Sequence, residues 1–397
     1  MAQETQNEIL TAQSQVVKDL AYLVGCSVNG RAPEKERVAA MDAEAVLRLA
    51  SRHTLGAAAA MALESGGFKS KETEKKIIIA VRRAACFEAE WETIKKKMEE
   101  AGIWYLPLKG AVIKSLYPQY GMREMADHDI LFDATRAEDL RNIMEGLGYT
   151  TKEYGRSNHD AYHKPPVLNF EMHKELFDPF HDEVKEVCKY YRNTGEKLLG
   201  DGLEKHFSDE DFYLYLVAHE YKHYCFSGTG LRSLLDIYVY LNHKTLDLEY
   251  VAQEARKMGC AEYERINREL ALALFGDGEL TAEGEEMLTY IVSSGTYGTN
   301  KQRVQNKMKR KGWGKSRYVL NRFFVPVSRK NEAYDAFSRQ YPTFYKHKIL
   351  LPFLPFYRTA RAIRGGRFGG ELKSIRAAGA DGVKPDEGGE KNAKKND

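Results

Sequence analysis

Short strand-like segments between residues 103 and 173 interrupt a chain whose other periodic segments are helical. Helical segments place apolar residues three and four positions apart, whereas strands alternate them or bury them in short runs. The strand-like segments lie at 103–108, 130–132, 149–154 and 167–173. Helical patterns lie at about 4–25, 41–64, 71–101, 111–116, 136–146 and 209–226. The sequence therefore predicts an α+β protein, with a small mixed β-sheet embedded in helical N- and C-terminal regions.

The same patterns divide the chain into four predicted regions. A helical region over 1–70 precedes a core with strands at 71–195, and a second helical region covers 196–377. The last segment, 378–397, contains only Val383 and a few alanines as apolar residues. We expect this segment to be disordered, because it cannot bury enough apolar surface to fold.

Composition and charge argue against several classes of protein. The 397 residues are 43% hydrophobic and 29% charged, as in ordinary globular chains, and the net charge of +3 does not by itself indicate a polyanion partner. The five cysteines are scattered and form no CxxC pair, which favours a reducing compartment and argues against disulfides or a thiolate zinc site. The first residues do not resemble a secretion signal, and no apolar run is long enough to cross a bilayer. We therefore expect a cytoplasmic protein without a transmembrane segment.

Asp127 and Asp129 are the first candidate functional residues. They stand two positions apart at the start of an apolar strand, so their side chains point to the same face. Two carboxylates about 4 Å apart repel each other by roughly 4 kcal/mol at an effective dielectric constant of about 20. A cation is therefore expected between them, and a hard divalent ion with oxygen ligands fits best.

Glu171 is a third candidate, because it lies between the apolar residues Phe170 and Met172 in an extended segment. Strand alternation puts Asn169, Glu171 and His173 on one face. An ionisable group in such a position faces either solvent or a cleft. The pattern alone leaves both interpretations open.

A predicted strand-to-helix turn contains Lys109, Gly110 and Ala111. Backbone N–H groups at such a junction bind anions, helped by the helix dipole. Glycine lets the backbone approach a phosphate closely, and Lys109 adds a positive charge. The other interpretation of this segment is a turn that only needs a small residue.

Together these segments resemble the polymerase-β-like nucleotidyltransferase superfamily and, more narrowly, a bacterial family of uncharacterised nucleotidyltransferases. The similarity covers about residues 40–365 and consists of an ordered set of short motifs. The motifs are Leu108-Lys109-Gly110, Leu116-Tyr117-Pro118, Gly121 with Arg123, Asp127-His128-Asp129-Ile130-Leu131, Glu171-Met172-His173, His219 to His223, and Leu231-Arg232 with Leu235-Asp236-Ile237. Two positions depart from the superfamily pattern, since Ala111 stands where Ser or Gly is usual and His128 replaces a branched aliphatic residue. We expect His128 to be a hydrogen-bonded structural residue rather than a metal ligand.

The resemblance implies a metal-dependent nucleotidyltransferase. By analogy, Asp127 and Asp129 would hold Mg²⁺ (or Mn²⁺), and Glu171 would complete the metal site or act as general base. The nucleotide phosphates would be bound by Lys109, Gly110, Ala111 and Arg123. The expected reaction transfers a nucleoside monophosphate, AMP from ATP, to an acceptor that the sequence does not identify. A protein, a small molecule, a saccharide and RNA are all candidate acceptors.

Two other functions remain open. A catalytically degenerate protein with the same fold would bind a nucleotide or a partner without transferring anything. His219, Glu220 and His223 also match the HExxH motif of zinc metalloproteases, which places two imidazoles on one helix face. The glycine and the third histidine of the extended motif are missing, although His243 is a candidate third ligand.

Two basic segments, 301–317 and 358–376, combine Lys and Arg with aromatic residues. The first contains eight Lys or Arg residues and no acidic residue. Such segments bind single-stranded nucleic acid or an anionic membrane surface in some proteins, although most are solvated helix faces. We expect at most a weak contact with an anionic surface.

Overall fold

A computed structural model of the protein describes residues 11–152, 154–178, 184–276, 278–328, 334–364 and 374–375. The chain forms two compact units, residues 1–297 and 298–397. The tail that we expect to be disordered lies outside the described residues, as does most of the second basic segment beyond residue 364. The region boundaries at 70, 195 and 377 stay predictions.

The first unit is mainly helical. Its described helices are α1 (Gln15–Val28), α2 (Lys35–Ala40), α3 (Ala43–Arg52), α4 (Gly56–Ser65), α5 (Lys71–Glu100), α6 (Gly110–Ile113), α7 (Ala137–Gly146), α8 (Lys185–Tyr190), α9 (Asp209–Phe226), α10 (Leu231–His243), α11 (Leu248–Lys257), α12 (Ala261–Phe275) and α13 (Ala282–Ser294). Short 3-10 turns lie at Lys114–Leu116, Ala134–Arg136 and Tyr191–Lys197. The single helix predicted over 41–64 is two helices, because the backbone turns at Thr54, whose φ is 56°. Helix α9 begins at its predicted cap, where Ser208 Oγ accepts from the amide of Asp211 at 3.1 Å.

Five strands form one mixed sheet. They are β1 (Tyr105–Pro107), β2 (His128–Phe132), β3 (Thr150–Lys152), β4 (His159–Lys164) and β5 (Leu168–His173). Their order across the sheet is β1-β2-β5-β4-β3; β2 and β5 pair in parallel and the other three described pairs are antiparallel. The predicted α+β class is therefore confirmed. Strand β4 was not predicted, because its sequence HDAYHK has little apolar content.

The parallel β2–β5 pair determines on which face of the sheet the aromatic and the acidic side chains of these strands lie. In its register His128 lies opposite Phe170, and Asp129 lies opposite Glu171. Successive side chains of a strand point to opposite faces of the sheet. One face of the pair is therefore aromatic and the other carries the acids.

Helices α5 and α7 cover the aromatic face. The buried residues of this core include Phe87, Trp91, Ile94 and Met98 from α5, Leu140 and Met144 from α7, and Ile130, Phe132, Phe170 and Met172 from the strands. Helix α5 begins with a capping box in which Ser70 and Thr73 exchange hydrogen bonds. The long helix therefore has a fixed start, and its apolar stripe holds one side of the sheet.

The acidic face of the sheet lies on the side of the main helical core. Leu106, Leu108 and Leu131 of this side belong to a buried cluster that also includes residues of α1, α4, α9, α10 and α12. Apolar packing thus surrounds the acids on this face, and burial of charge at such a place requires compensating partners.

His128 is packed as an aromatic residue. The centroid of its ring lies 5.3 Å from that of Trp91 and 5.1 Å from that of Phe170, with interplanar angles of 29° and 25°. The residue is buried, and neither ring nitrogen has a hydrogen-bond partner among the described residues. Burial lowers the pKa of His128 to about 3. His128 is therefore structural, as expected, but the hydrogen bond predicted for it is absent from the described part of the chain.

The second unit is helical where it is described. Its helices are α14 (Asn300–Lys311), α15 (Lys315–Leu320), α16 (Tyr334–Gln340), α17 (Pro342–Lys346) and α18 (Leu354–Arg364), with 3-10 turns at Asn321–Phe323 and Lys348–Phe353. A small core contains Tyr334, Tyr345, Leu351 and Leu354. In neither unit does a described helix have the length and apolar content needed to cross a membrane. The weak contact with an anionic surface stays a prediction.

Replacement of His128 by leucine should stabilise the protein. His128→Leu removes two buried nitrogens without partners, and we expect the free energy of unfolding at pH 7 to rise by about 1–3 kcal/mol. Below the ordinary pKa of 6.5, His128 takes up a proton in the unfolded chain, whereas in the folded protein it does so only near pH 3. The stability of the wild type therefore decreases as pH falls from 7 to 5, and the stability of the variant decreases less. Urea denaturation at pH 7 and pH 5 measures both effects. A less stable variant with an unchanged pH dependence would show that His128 has a hydrogen-bond partner.

Candidate active site

Asp129 is the centre of a buried cluster of charges. Lys109 Nζ donates to its Oδ1 at 2.6 Å, and His173 Nε2 donates to the same oxygen at 2.9 Å. Burial opposes ionisation of Asp129, but the charge of Lys109 and the hydrogen bonds from His173 and Lys109 outweigh it and hold the pKa well below its usual range. Asp129 is therefore a carboxylate at neutral pH, with two donors fixed on one oxygen.

Lys109 reaches Asp129 from a strained turn. Its φ is 43°, a region that costs a non-glycine residue of order 1–3 kcal/mol. The amide of Leu108 donates to the carbonyl oxygen of Asp129 at 3.0 Å, which ties the turn to β2. Burial disfavours the ammonium group, yet the charge of Asp129 raises the pKa of Lys109 above its ordinary value. The predicted site residue Lys109 therefore lies in the site, and its direct partner is a carboxylate.

Gly110 is required by the close approach of a buried arginine. Arg123 donates through Nε and Nη2 to the two oxygens of Asp236 at 2.8 and 2.7 Å, and Tyr117 donates its hydroxyl to Asp236 at 2.7 Å. A Cβ atom on Gly110 would clash with the guanidinium group of Arg123. These contacts of Arg123 support the turn from within the core, and its direct contact with phosphate stays a prediction.

The amide of Ala111 is already used inside the turn. It donates to the carbonyl oxygen of Leu108 at 3.0 Å. The phosphate contact predicted for Ala111 would require this bond to open. Gly110, which has no side chain to block a ligand, is therefore the better candidate of the two for approach by a phosphate.

Asp127 and Glu171 join Asp129 to form a group of three interacting acids. Burial and the charges of Asp129 and Asp127 raise the pKa of Glu171 to about 7. Burial and the charge of Asp129 also raise the pKa of Asp127. Each shift also includes repulsion by a neighbouring carboxylate, so the charges of the acids act on one another. The strand register places Asp129 opposite Glu171, and Asp127 lies two residues before Asp129, but the three carboxylates are not a group whose ligand atoms lie within 4.8 Å of one another among the described residues.

Two histidines flank Glu171. Its Oε2 lies 3.7 Å from His159 Nε2 and 3.9 Å from His173 Nε2. One potential ligand atom from each of the three residues lies within 4.8 Å of the others, and no second group of three His, Cys, Asp or Glu side chains converges in this way in the described ranges. The sequence placed Glu171 and His173 on one face, but it missed His159 because β4 was not predicted.

Helix α9 contributes residues that the sequence analysis did not assign to the site. The hydroxyl of Tyr215 is buried without a hydrogen-bond partner among the described residues, and the charges of Lys109 and the three acids act on it. Burial and the charge of Lys109 lower the pKa of Lys222 to about 8. Tyr215, His219 and Lys222 are spaced by four and three residues, which puts them on one helix face. This helical spacing is the feature of the sequence from which their common position could have been predicted.

The described part of the chain does not contain the geometry of an HExxH metalloprotease. His219 and His223 lie side by side, with their Nε2 atoms 3.3 Å apart, but no third described metal-ligating side chain joins them. Glu220 is buried near Asp236 and Arg232, where burial raises its pKa well above the usual range. Burial therefore favours the protonated form of this carboxyl group, whereas a general base acts from the ionised form.

The comparison with known proteins decides the family. A model of the uncharacterised nucleotidyltransferase family matches residues 39–276, which is more than half of the chain. This chain belongs to that family. The match includes the whole sheet, the Gly110 turn and helix α9, and it ends before the second unit, whereas the motif resemblance continued to about residue 365. No curated protein and no solved structure matches the chain.

Family membership confirms the resemblance inferred from the motifs and supports a general nucleotidyl-transfer function. The residues that carry the motifs belong to the geometry described above, since the turn, the acids and helix α9 all contribute to one cluster of charges. Family membership does not identify the nucleotide, the metal ion or the acceptor.

Substitution of Gly110 tests the contact with Arg123. Gly110→Ala should lower the free energy of unfolding by about 1–3 kcal/mol, because the clashing guanidinium group is fixed by Asp236 and cannot move away freely. Gly146→Ala in helix α7 is a matched control, since a Cβ atom there meets nothing within 4 Å. That control should be neutral or stabilising by up to about 1 kcal/mol. Urea denaturation compares the two variants, and equal stabilities would show that Arg123 does not pack against the turn.

Proposed function

We propose that this nucleotidyltransferase family member transfers a nucleoside monophosphate from a nucleoside triphosphate, ATP in the first instance, to an acceptor. The observation that supports the proposal is the position of Asp129 opposite Glu171 in the β2–β5 register, with Asp127 two residues before Asp129 and the turn of Gly110 tied to Asp129 by Lys109. Phosphoryl transfer depends on positioning and on stabilisation of charge, with little covalent chemistry for the protein to perform. Carboxylates that bind a cation and a glycine turn that binds phosphate would together position the triphosphate and stabilise its charge.

The donor chemistry of the three acids fits Mg²⁺ or Mn²⁺, because hard divalent ions prefer carboxylate oxygens, and the three carboxylates would have to move closer together to bind a common ion. Asp127, Asp129 and Glu171 would hold the ion. Their mutual repulsion, expressed in the raised pKa values of Asp127 and Glu171, supports this assignment because a bound cation relieves it. The chemistry that such an ion supplies is neutralisation of the charge that develops on the phosphate oxygens.

The other residues of the cluster have distinct proposed roles. Lys109 and Lys222 present ammonium groups to the triphosphate, and the hydroxyl of Tyr215, which has no partner in the described residues, donates to a phosphate oxygen. As an alternative to binding the ion, Glu171 accepts the proton of an acceptor hydroxyl, since a pKa of about 7 is close to the optimum for a general base at neutral pH. These assignments use groups whose charges interact with that of Asp129.

A protein that binds a nucleotide without transferring it is the second candidate, and one observation favours it. Lys109 Nζ lies 2.6 Å from Asp129 Oδ1, so the central carboxylate already has a cationic partner. If that ion pair persists when a nucleotide binds, Oδ1 of Asp129 is not available to a metal ion. Ligation of the ion through this oxygen would require the ammonium group of Lys109 to move from Asp129 to the phosphates.

The acceptor remains the open part of the proposal. A protein, a small molecule, a saccharide or RNA would each supply a hydroxyl or phosphate group. We expect the helical region after residue 196 to select it, because that region provides helix α9 beside the acids. We also propose a cytoplasmic location, on the basis of five scattered cysteines without a disulfide.

Label transfer from α-labelled ATP tests the reaction. Wild-type protein incubated with a cell lysate and Mg²⁺ or Mn²⁺ should label one class of acceptor, and Asp129→Asn should reduce the rate by about 100-fold or more, because it removes a charge from the centre of the site. Asp133→Asn is the matched control, since Asp133 follows the same strand and caps the next turn through Thr135. Nucleotide binding without transfer, with either ion, would establish the binding function in place of the transferase.

A further inference from the structure

His159, Glu171 and His173 form a mixed set of nitrogen and oxygen ligands that the proposed reaction does not use as a set. His159 lies opposite His173 in the antiparallel β4–β5 register, and Glu171 stands two residues before His173 on the same face. The three side chains therefore start from the backbone of two adjacent, hydrogen-bonded strands. Sites built on strands hold their geometry better than sites built on loops.

The separations within this set fit ligands of a common ion better than hydrogen bonds. His159 Nε2 and His173 Nε2 lie 3.7 and 3.9 Å from Glu171 Oε2. Separations of about 3.6 Å or more are too long for hydrogen bonds. Two ligand atoms that are each about 2.1 Å from an ion, at a tetrahedral angle, lie about 3.4 Å apart. Shifts of a few tenths of an ångström would therefore bring Glu171 to a ligand separation from each imidazole.

Asn158 orients the first imidazole. Its Oδ1 lies 3.3 Å from His159 Nδ1 and accepts the proton of that nitrogen, which leaves His159 Nε2 with a lone pair directed toward Glu171. The Nδ2 atom of Asn158 donates to the carbonyl oxygen of Glu175 at 3.0 Å, which fixes the orientation of the amide. Metal-binding histidines usually have such an outer partner, because it determines which ring nitrogen is free to bind.

His173 Nε2 donates to Asp129, so an ion at this nitrogen would require the tautomer with the proton on Nδ1. Asn158 Nδ2 donates toward Nδ1 at 3.4 Å and would have to release this contact, because two donors would then face each other. Its shorter bond to the carbonyl oxygen of Glu175, at 3.0 Å, would remain. Asp129 Oδ1, which lies 2.9 Å from His173 Nε2, then becomes a neighbour of the ion.

We propose that His159, Glu171 and His173 bind a divalent transition ion of the series from Fe²⁺ to Zn²⁺. Imidazole nitrogens select these ions over Mg²⁺ and Ca²⁺, which prefer oxygen ligands. Three protein ligands leave coordination positions open for water or a phosphate oxygen. The site shares Glu171 with the carboxylate set but does not depend on the transfer reaction, since a binding-only protein would hold the same ion.

Cobalt is the probe for this site, because Co²⁺ bound by imidazole and carboxylate in a site of low coordination number absorbs visible light. Full-length protein, stripped of metal by a chelator, should gain visible absorption that saturates at one Co²⁺ per chain. Zn²⁺ should remove the absorption, whereas a large excess of Mg²⁺ should not. The absence of a saturable signal, or its loss to Mg²⁺, would overturn the proposal.

Three variants assign the ligands. His159→Gln should weaken Co²⁺ binding by at least about 10-fold. His163→Gln is the matched control, because His163 lies on the same strand and the same face, outside the ligand set. His219→Gln tests the other pair of adjacent histidines. Equal binding by the His159 and His163 variants, or loss of the signal in the His219 variant alone, would overturn the assignment.

The two proposals can fail separately. Label transfer with Mg²⁺ in a protein that binds no Co²⁺ would overturn the transition-metal site and leave the proposed reaction intact. A Co²⁺ signal that depends on His159, in a protein that transfers no label, would support the metal site and contradict the transferase.

Discussion

The parallel pairing of β2 with β5 puts Asp129 directly opposite Glu171 in the interior of the protein, and the rest of the site compensates this charge. Two donors, Lys109 and His173, hold one oxygen of Asp129, and the strained backbone of Lys109 is the cost of bringing an ammonium group to that place. The same register turns His128 toward the aromatic core. One strand pair therefore separates a packed hydrophobic face from a face of interacting charges.

The Lys109–Asp129 ion pair links the structure to the choice between the two proposed functions. In the protein without ligands the pair satisfies a buried carboxylate, which would otherwise be costly. A triphosphate with its metal ion offers both members new partners, the ion for Asp129 and a phosphate for Lys109. The number of charge pairs stays the same in this exchange, so the Lys109–Asp129 ion pair can break without leaving an isolated buried charge. In the proposed transfer reaction, this exchange would free Oδ1 of Asp129 for the ion.

The sequence predicted the parts of this site that depend on local periodicity. Alternation placed Asp127 with Asp129 on one strand face and Asn169, Glu171 and His173 on another, and the cap at Ser208 marked the start of helix α9. The parallel register that puts Asp129 opposite Glu171 was not predicted. Strand β4 was missed because its polar residues lack a strand pattern, and His159 was missed with it. Contacts between residues that are distant in the sequence produce no local sequence pattern, so they could not be predicted. Arg123 and Asp236, for example, are 113 residues apart in the chain.

Binding of ATP with and without Mg²⁺ tests most directly whether the three acids form a metal–nucleotide site. Isothermal titration calorimetry can compare wild-type protein with the Asp127→Asn/Asp129→Asn double variant and with Asp133→Asn. We expect wild type and Asp133→Asn to bind ATP only when Mg²⁺ is present, and the double variant to bind at least about 10-fold more weakly. Equal binding by the double variant, or tight binding of ATP without a divalent ion, would contradict the central role of the acids.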